Sequence, residues 1–390
     1  MNGRPRRRIG IVANSFTAGR GDLSGGFIHA LSVAAQWPNV DVVVFAPEDA
    51  RRAVHTTLPA AHFVSAPPTT AGTQRRFQAY VVIALRLCGT FFVRKQIAAC
   101  DVVVATTSFV SDVFPIVFAR RGRGAVIIQH LQTPPWRRVG NAVGNLAAFA
   151  TERLGLALTR RWARLVFVND ERVAVRANIP GNIVVVRITH GVDHVHPYAR
   201  SASGASRSGA LFVGRLHPTK GLDELLQSWQ HVIRARPQSA LRIVGTGTAE
   251  YRAHLERRRA ALGLDDVVTF LGAVDEAEKC RELASARAFV FPSLEEGWGI
   301  AIAEAMAFGT PAVTYDLEAY REVFVRGRIV VRPHDVDEFA AATIRLLDGG
   351  ETWQRLSDEA ASLAKRFTWQ HAGRIYERAF DRLLSDSSAR

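Results

Sequence analysis

Phe291-Pro-Ser-Leu-Glu-Glu-Gly-Trp-Gly-Ile-Ala-Ile-Ala-Glu-Ala-Met-Ala-Phe-Gly309 is the stretch on which the reading of this sequence turns. It opens as the end of an apolar strand over residues 288–292, passes through a Gly-interrupted turn and continues as a helix of small residues. Two carboxylates, Glu296 and Glu304, stand in it. If helix begins near Trp298 or Gly299, Glu296 lies in the preceding turn and Glu304 in the second turn. At a helical rise of about 1.5 Å per residue they are separated by roughly 10–12 Å, too far to share a proton. That spacing suits two contacts at opposite ends of an elongated polar ligand. The N–H groups from Gly297 to Ile300 fall at a helix N-terminus, where anions bind. Gly297 and Gly299 let the backbone come close to such a ligand. A capped, buried helix with two solvent-facing glutamates would read the same way in isolation.

Around this stretch, short Val/Ile-rich runs alternate with helix-length segments. Strand candidates in the first half lie at 8–14, 40–47, 62–66, 101–107, 125–131, 164–169 and 183–188. In the second half they lie at 209–216, 240–244, 267–271, 288–292, 311–316 and 328–332. Most are continuous apolar runs, as parallel strands covered on both faces require. The fold class expected is α/β, with two Rossmann-like, doubly wound parallel sheets facing across a cleft. Residues 1–195 form the first domain, the Ser/Gly/Ala-rich 196–208 a linker and 209–367 the second domain. A C-terminal helix over 368–390 is placed either on its own or back against the first domain.

The chain has 390 residues, 48% hydrophobic and 22% charged, a globular composition. Cys88, Cys100 and Cys280 show no paired spacing, which argues against a disulfide framework or a Cys metal site and fits a reducing cytoplasm. No run reaches the length of a membrane span, and the apolar run after the basic N-terminus is too short for a secretory signal. The net charge of +14 is uneven. Residues 1–190 hold 24 Lys and Arg against 9 Asp and Glu; the remainder hold 26 against 27. The first half therefore carries the whole excess, and an anionic partner such as lipid headgroups or a phosphorylated acceptor is expected there. No basic patch interleaved with stacking aromatics appears, so nucleic acid is not expected.

Open parallel sheets bind ligands beyond the carboxyl ends of their strands, so the chemistry is sought there. After the first strand, Gly25 and Gly26 precede a helix and offer a backbone anion cradle, or an ordinary turn. His130 closes the fifth strand, where it either contacts a reacting group or bonds a backbone carbonyl. Trp136, Arg137 and Arg138 follow, as an acceptor contact or a loop plug. In the second half, Gly214-Arg215 ends a strand and Lys220 follows at a Gly-terminated turn. Arg as a fork and Lys as a point charge together suit a diphosphate, neutralising the charge that develops as it leaves. Gly245 and Gly247 follow the next strand, and Leu271-Gly272 the one after, as backbone contacts for a nucleotide. Asp335-Val-Asp337 starts a late helix and reads as a cap rather than a metal site.

The set Gly214-Arg215-Leu-x-x-x-Lys220-Gly221, Val-Gly245-x-Gly247, Phe-Leu271-Gly272 and Glu296-x7-Glu304 resembles the GT-B glycosyltransferases of family 4 in order and spacing, over nearly the whole chain. The segment from His190 to Asp193 is also similar, with His190 where Asn is commoner. The resemblance implies that Arg215 and Lys220 grip a donor diphosphate and Glu304 the ribose hydroxyls. It gives the donor sugar to Glu296 with the 297–300 backbone, including Trp298, Gly299 and Ile300. It sets His130 near that sugar and has Gly25-Gly26 close over the phosphates. It further implies hexosyl transfer from a nucleotide-diphosphate sugar with retention of configuration, without a metal or other cofactor. The acceptor expected is a saccharide or lipid-linked one in cell-surface polysaccharide or glycolipid synthesis. The protein is expected in the cytoplasm or peripherally on the inner face of the membrane. Other GT-B chemistry, as an epimerase or inverting transferase, and a non-catalytic nucleotide-sugar-binding protein are the alternatives.

Overall fold

A computed structural model describes residues 6–15, 25–65, 76–118, 124–129, 131, 142–195, 197–198 and 207–385. The chain divides into two units, Met1–Thr189 with Trp369–Arg390, and His190–Thr368.

The first unit is built on seven strands: β1 Arg7–Val12, β2 Val40–Ala46, β3 His62–Ser65, β4 Val102–Ala105, β5 Gly124–Ile128, β6 Ala163–Val168 and β7 Val184–Arg187. They form one sheet in the order β3-β2-β1-β4-β5-β6-β7, with every pairing parallel. Successive residues alternate between two cores. Ile9, Ile11, Val42, Val44, Ala125, Ile127, Leu165 and Phe167 face one. Val12, Val43, Phe45, Val126, Ile128, Val166 and Val168 face the other. Burial on both faces explains why these strands read as unbroken apolar runs.

The C-terminal helix Trp369–Ser385 packs in the first of those cores, through Ala372, Tyr376, Ala379 and Phe380. Tyr376 stacks on Phe167 with ring centroids 3.9 Å apart, and its hydroxyl lies 3.0 Å from His29 Nε2. In the helix Arg76–Ala98, Val93 and Ile97 are buried, whereas Leu85, Phe91 and Phe92 are exposed. Among the described residues, no helix is long and apolar enough to cross a membrane.

The second unit repeats the architecture with β8 Ser208–Val213, β9 Leu241–Val244, β10 Val268–Gly272, β11 Ala286–Phe291, β12 Ala312–Tyr315 and β13 Arg328–Val331. The order is β10-β9-β8-β11-β12-β13, again all parallel. Its crossover helices carry the signals their sequences announce. Leu222–Ala235 buries Leu222, Leu225, Leu226, Trp229 and Val232, one face at helical spacing, and holds Asp223 and Glu224 in its first turn. Asp275 caps Glu276–Ser285, and Asp335 caps Val336–Asp348 by accepting from Glu338 N, which gives Asp335 the capping role read for it.

The sequence reading put residues 190–195 in the first domain, and here the structure differs. Val192 and Val195 belong to the core of the second unit, Val192 N donates to Phe367 O, and His190 packs on Trp298. The polarity change that suggested a boundary falls after this segment, while its apolar residues are claimed by the second core.

Candidate functional site

In a doubly wound sheet the strand order reverses once, and the loops leaving the carboxyl ends at that reversal diverge and open a crevice. In the second unit the reversal lies between β8 and β11. The loop after β8 carries Gly214, Arg215 and Lys220. The loop after β11 carries Ser293 and Glu296 and runs into the helix Ile300–Ala307.

These two loops are stitched together. Leu294 N donates to Thr219 O at 2.8 Å, and Ser293 Oγ lies 3.2 Å from the same carbonyl. Gly221 has φ +68, and a Cβ there would stand 2.0 Å from the Pro292 carbonyl oxygen, so only glycine lets the Lys220 turn press on the end of β11. As a result Lys220 Nζ donates to Glu296 Oε1, although the two residues are 76 positions apart. Ser293 Oγ lies 3.1 Å from the same oxygen. The Lys220 and Glu296 side chains are only 12% and 13% exposed, so this pair is held in a low-dielectric setting. Arg215 is exposed at the rim of the same turn.

The glycine turns after β8, β9 and β10 form a row. Gly245 N donates to Gly272 O at 2.8 Å, and a Cβ on Gly245, at φ +138, would fall 1.8 Å from Gly214 O. Leu216 N donates to Thr246 O, and Gly247 bridges Leu216. Close packing of neighbouring loops thus accounts for Gly245 and Gly247, whereas Gly272 stands in open space at φ +75. Leu271 is half-buried beside them.

Gly299 initiates the helix at φ +101, with room for no Cβ: Tyr320 would be 2.9 Å away and Phe324 3.0 Å. Gly297 stands two residues before it, and Ile300, the first helical residue, is exposed. Trp298 is expected to serve the donor through its backbone, and its side chain belongs to the core. The indole is 4% exposed and packs on His190, Phe324 and Phe367. Burial drives the pKa of His190 down to about 3, so this histidine is neutral and structural.

Glu304 occupies the second turn, with its side chain 8% exposed. Lys279 Nζ donates to its Oε1 at 2.9 Å, and His194 Nε2 lies 3.1 Å from that same oxygen. Lys279 also reaches Glu276 Oε1 at 3.0 Å. Burial alone would raise the Glu304 pKa, but the His194 hydrogen bond and the Lys279 ammonium outweigh it and hold it below the ordinary value. For Lys279, burial would lower the pKa, but Glu304 and Glu276 win and raise it. His194, Glu276 and Glu304 have ligand atoms close enough to hold a metal ion. The Lys279 ammonium already bonds two of the three, supplying the charge that a cation would bring.

In the first unit the reversal lies between β1 and β4. Gly26 sits there, and a Cβ on it would be 2.3 Å from Thr106 O, so packing against the end of β4 accounts for it. Gly25 begins the helix. Asp112 is fully buried at the same place and accepts from Ser15 N and Oγ, Thr106 Oγ1 and Thr107 Oγ1. His130, Trp136, Arg137 and Arg138 lie outside the described residues. Sequence reasoning missed Lys279, His194, Ser293 and Asp112. The i,i+3 spacing of Glu276 and Lys279 was visible, but their meeting with Glu304 depends on packing between separate elements.

Residues 207–349 match the family model described as "Glycosyl transferases group 1". The chain is 30% identical over 236 residues to D-inositol 3-phosphate glycosyltransferase 2 of Catenulispora acidiphila, covering 56% of this chain and 55% of the relative. It is 30% identical over 237 residues to the phosphatidyl-myo-inositol mannosyltransferase of Mycobacterium leprae, covering 59% of each. The chain thus matches little more than half the length of these curated relatives. Among solved structures, Anabaena HepE in complex with UDP and glucose aligns with a TM-score of 0.72 at 18% identity, over 96% of this chain and 99% of that one. Sucrose-phosphate synthase from Thermosynechococcus elongatus aligns with a TM-score of 0.72 at 17% identity, over 98% and 100%. At such identities the likeness concerns the fold, which is GT-B. The match to the glycosyl transferases group 1 thus lies within the second unit of the chain.

Proposed function

We propose that this chain is a family 4 glycosyltransferase that moves a hexosyl group from a nucleotide-diphosphate sugar to an acceptor hydroxyl, with retention of configuration. The observation that carries the reading is the meeting of Lys220 and Glu296 at the strand-order reversal of the second unit, beside Arg215. Arg215 and Lys220 neutralise the diphosphate as it leaves. Glu304 accepts from the ribose, Glu296 and the backbone of 297–300 hold the sugar, and the glycine row supports the nucleotide. With Lys279 as the resident cation beside Glu304, catalysis needs no metal.

For the acceptor we favour a lipid-linked saccharide, reached from the cytoplasmic face of the membrane during glycolipid or polysaccharide synthesis. The helix Arg76–Ala98 contains no acidic residue and exposes Phe91 and Phe92 next to Arg94 and Lys95. Phe91 also lies 6.2 Å from Phe118 of the neighbouring helix. Exposed aromatics ringed by cations suit an anionic lipid surface. One relative, moreover, is named for phosphatidyl-myo-inositol.

The test is to incubate the protein with a panel of nucleotide sugars and saccharide and lipid acceptors and to assign the product anomer by NMR. Retained configuration supports the proposal. An inverted or epimerised product would replace it with the other GT-B chemistries, and binding of the donor without turnover by the folded protein would leave a non-catalytic sugar-nucleotide binder.

A further inference from the structure

A carboxylate taken out of water keeps its charge only where the protein replaces the lost hydration. Glu304 is such a group, and three separate pieces of chain attend to it. The helix Ile300–Ala307 carries it, the helix Glu276–Ser285 brings Lys279, and the short turn Asp193–Val195 brings His194. Lys279 and His194 converge on one oxygen, Oε1, at 2.9 and 3.1 Å, and neither bond involves Oε2. We infer that Lys279 and His194 are positioning residues for nucleotide recognition: they anchor Oε1, keep the carboxylate ionised, and reserve Oε2 as the acceptor for the ribose hydroxyls. This rests on the reading of Glu304 as the ribose contact.

The charge count separates this arrangement from an ordinary structural ion pair. Two carboxylates, Glu304 and Glu276, face the single Lys279 ammonium. The second carboxylate leaves acceptor oxygens that hydroxyl donors can satisfy. Cys280 does not add to it, because burial and then Glu276 push its thiol up to about 12. His194, Glu276, Lys279 and Cys280 are thus the titratable groups facing Glu304.

Calorimetry provides the test, with UDP, GDP and ADP and then the 2′,3′-dideoxy analogue of the tightest binder. Hydrogen bonds from hydroxyls to a charged acceptor predict discrimination of about 10-fold or more in the wild type. Glu304→Ala should bring the ratio to about one; if it does not, the ribose reading itself fails. Lys279→Met should also collapse the ratio near neutral pH, with recovery as the pH is raised and the stranded carboxylate ionises. Lys279→Arg should keep most of the ratio. If Glu304→Ala abolishes discrimination while folded Lys279→Met retains it, the ribose reading stands and the positioning role is overturned. Should Lys279→Met fail to fold, His194→Ala carries the same test with a smaller loss, since that side chain is 39% exposed. An unchanged ratio there would likewise overturn the role.

Discussion

Lys220→Met in the ligand-free protein strands the Glu296 carboxylate. Both side chains are close to nine-tenths buried, and the carboxylate keeps the Ser293 hydroxyl beside it. Breaking a buried ion pair from one side costs about 3–5 kcal/mol, because a charge is left without compensation. The Ser293 contact and the small residual exposure offset part of this, so a loss of about 2–4 kcal/mol in the second unit is expected. Glu296→Gln in the Lys220→Met background removes the stranded charge and should restore more than half of that loss. The coupling is read from a double-mutant cycle in urea, following the unfolding transition of the second unit by the fluorescence of buried Trp229 and Trp298. A coupling below about 0.5 kcal/mol would place the pair in the solvated regime of surface salt bridges and refute the reasoning. The same cycle bears on function, since a diphosphate that takes Lys220 must compete with Glu296 for it.

Three further outcomes follow from the geometry. Gly299→Ala meets both a positive φ and aromatic side chains within about 3 Å, and should destabilise the second unit by about 2–3 kcal/mol, read as a lower urea midpoint. Trp298→Phe should cost about 1–2 kcal/mol of stability yet leave nucleotide affinity within about twofold, because the indole is core; a tenfold affinity loss at unchanged fold would return Trp298 to the donor. Glu304 has a folded pKa below its ordinary 4.5, so its stabilising contribution is complete above that value and disappears as the pH falls through the depressed folded pKa. Wild type should therefore lose more stability than Glu304→Gln on acidification from about pH 6 to below about pH 4; parallel curves would contradict the assignment.

Much of the fold could be read from the sequence because fully buried parallel strands leave unmistakable runs. Residues 42–46 and 102–105 are apolar without a break because each face of the sheet has its own core. The strand ends were equally legible, since Gly245 and Gly247 mark turns whose close approach excludes a side chain and Gly272 takes a positive φ of +75. What escaped was contact between distant segments. Trp298 sits among candidate donor residues in sequence, but the aromatic slot formed by His190, Phe324 and Phe367 lies far from it along the chain. Nothing in the sequence around Lys279 points to Glu304, which the fold brings to it. The membership of 190–195 in the second core was hidden for the same reason: its decisive partner, Phe367, is more than 170 residues away.

The most direct measurement is a calorimetric titration of the full chain and its Arg215→Ala variant with UDP, GDP and ADP. Binding of at least one diphosphate by the wild type, weakened about tenfold or more in the variant, is the predicted result, since charge-assisted bonds to phosphate contribute about 1.5–3 kcal/mol each. No binding of any nucleoside diphosphate by the folded wild type, or equal affinity in the two proteins, would contradict a diphosphate site at the end of β8.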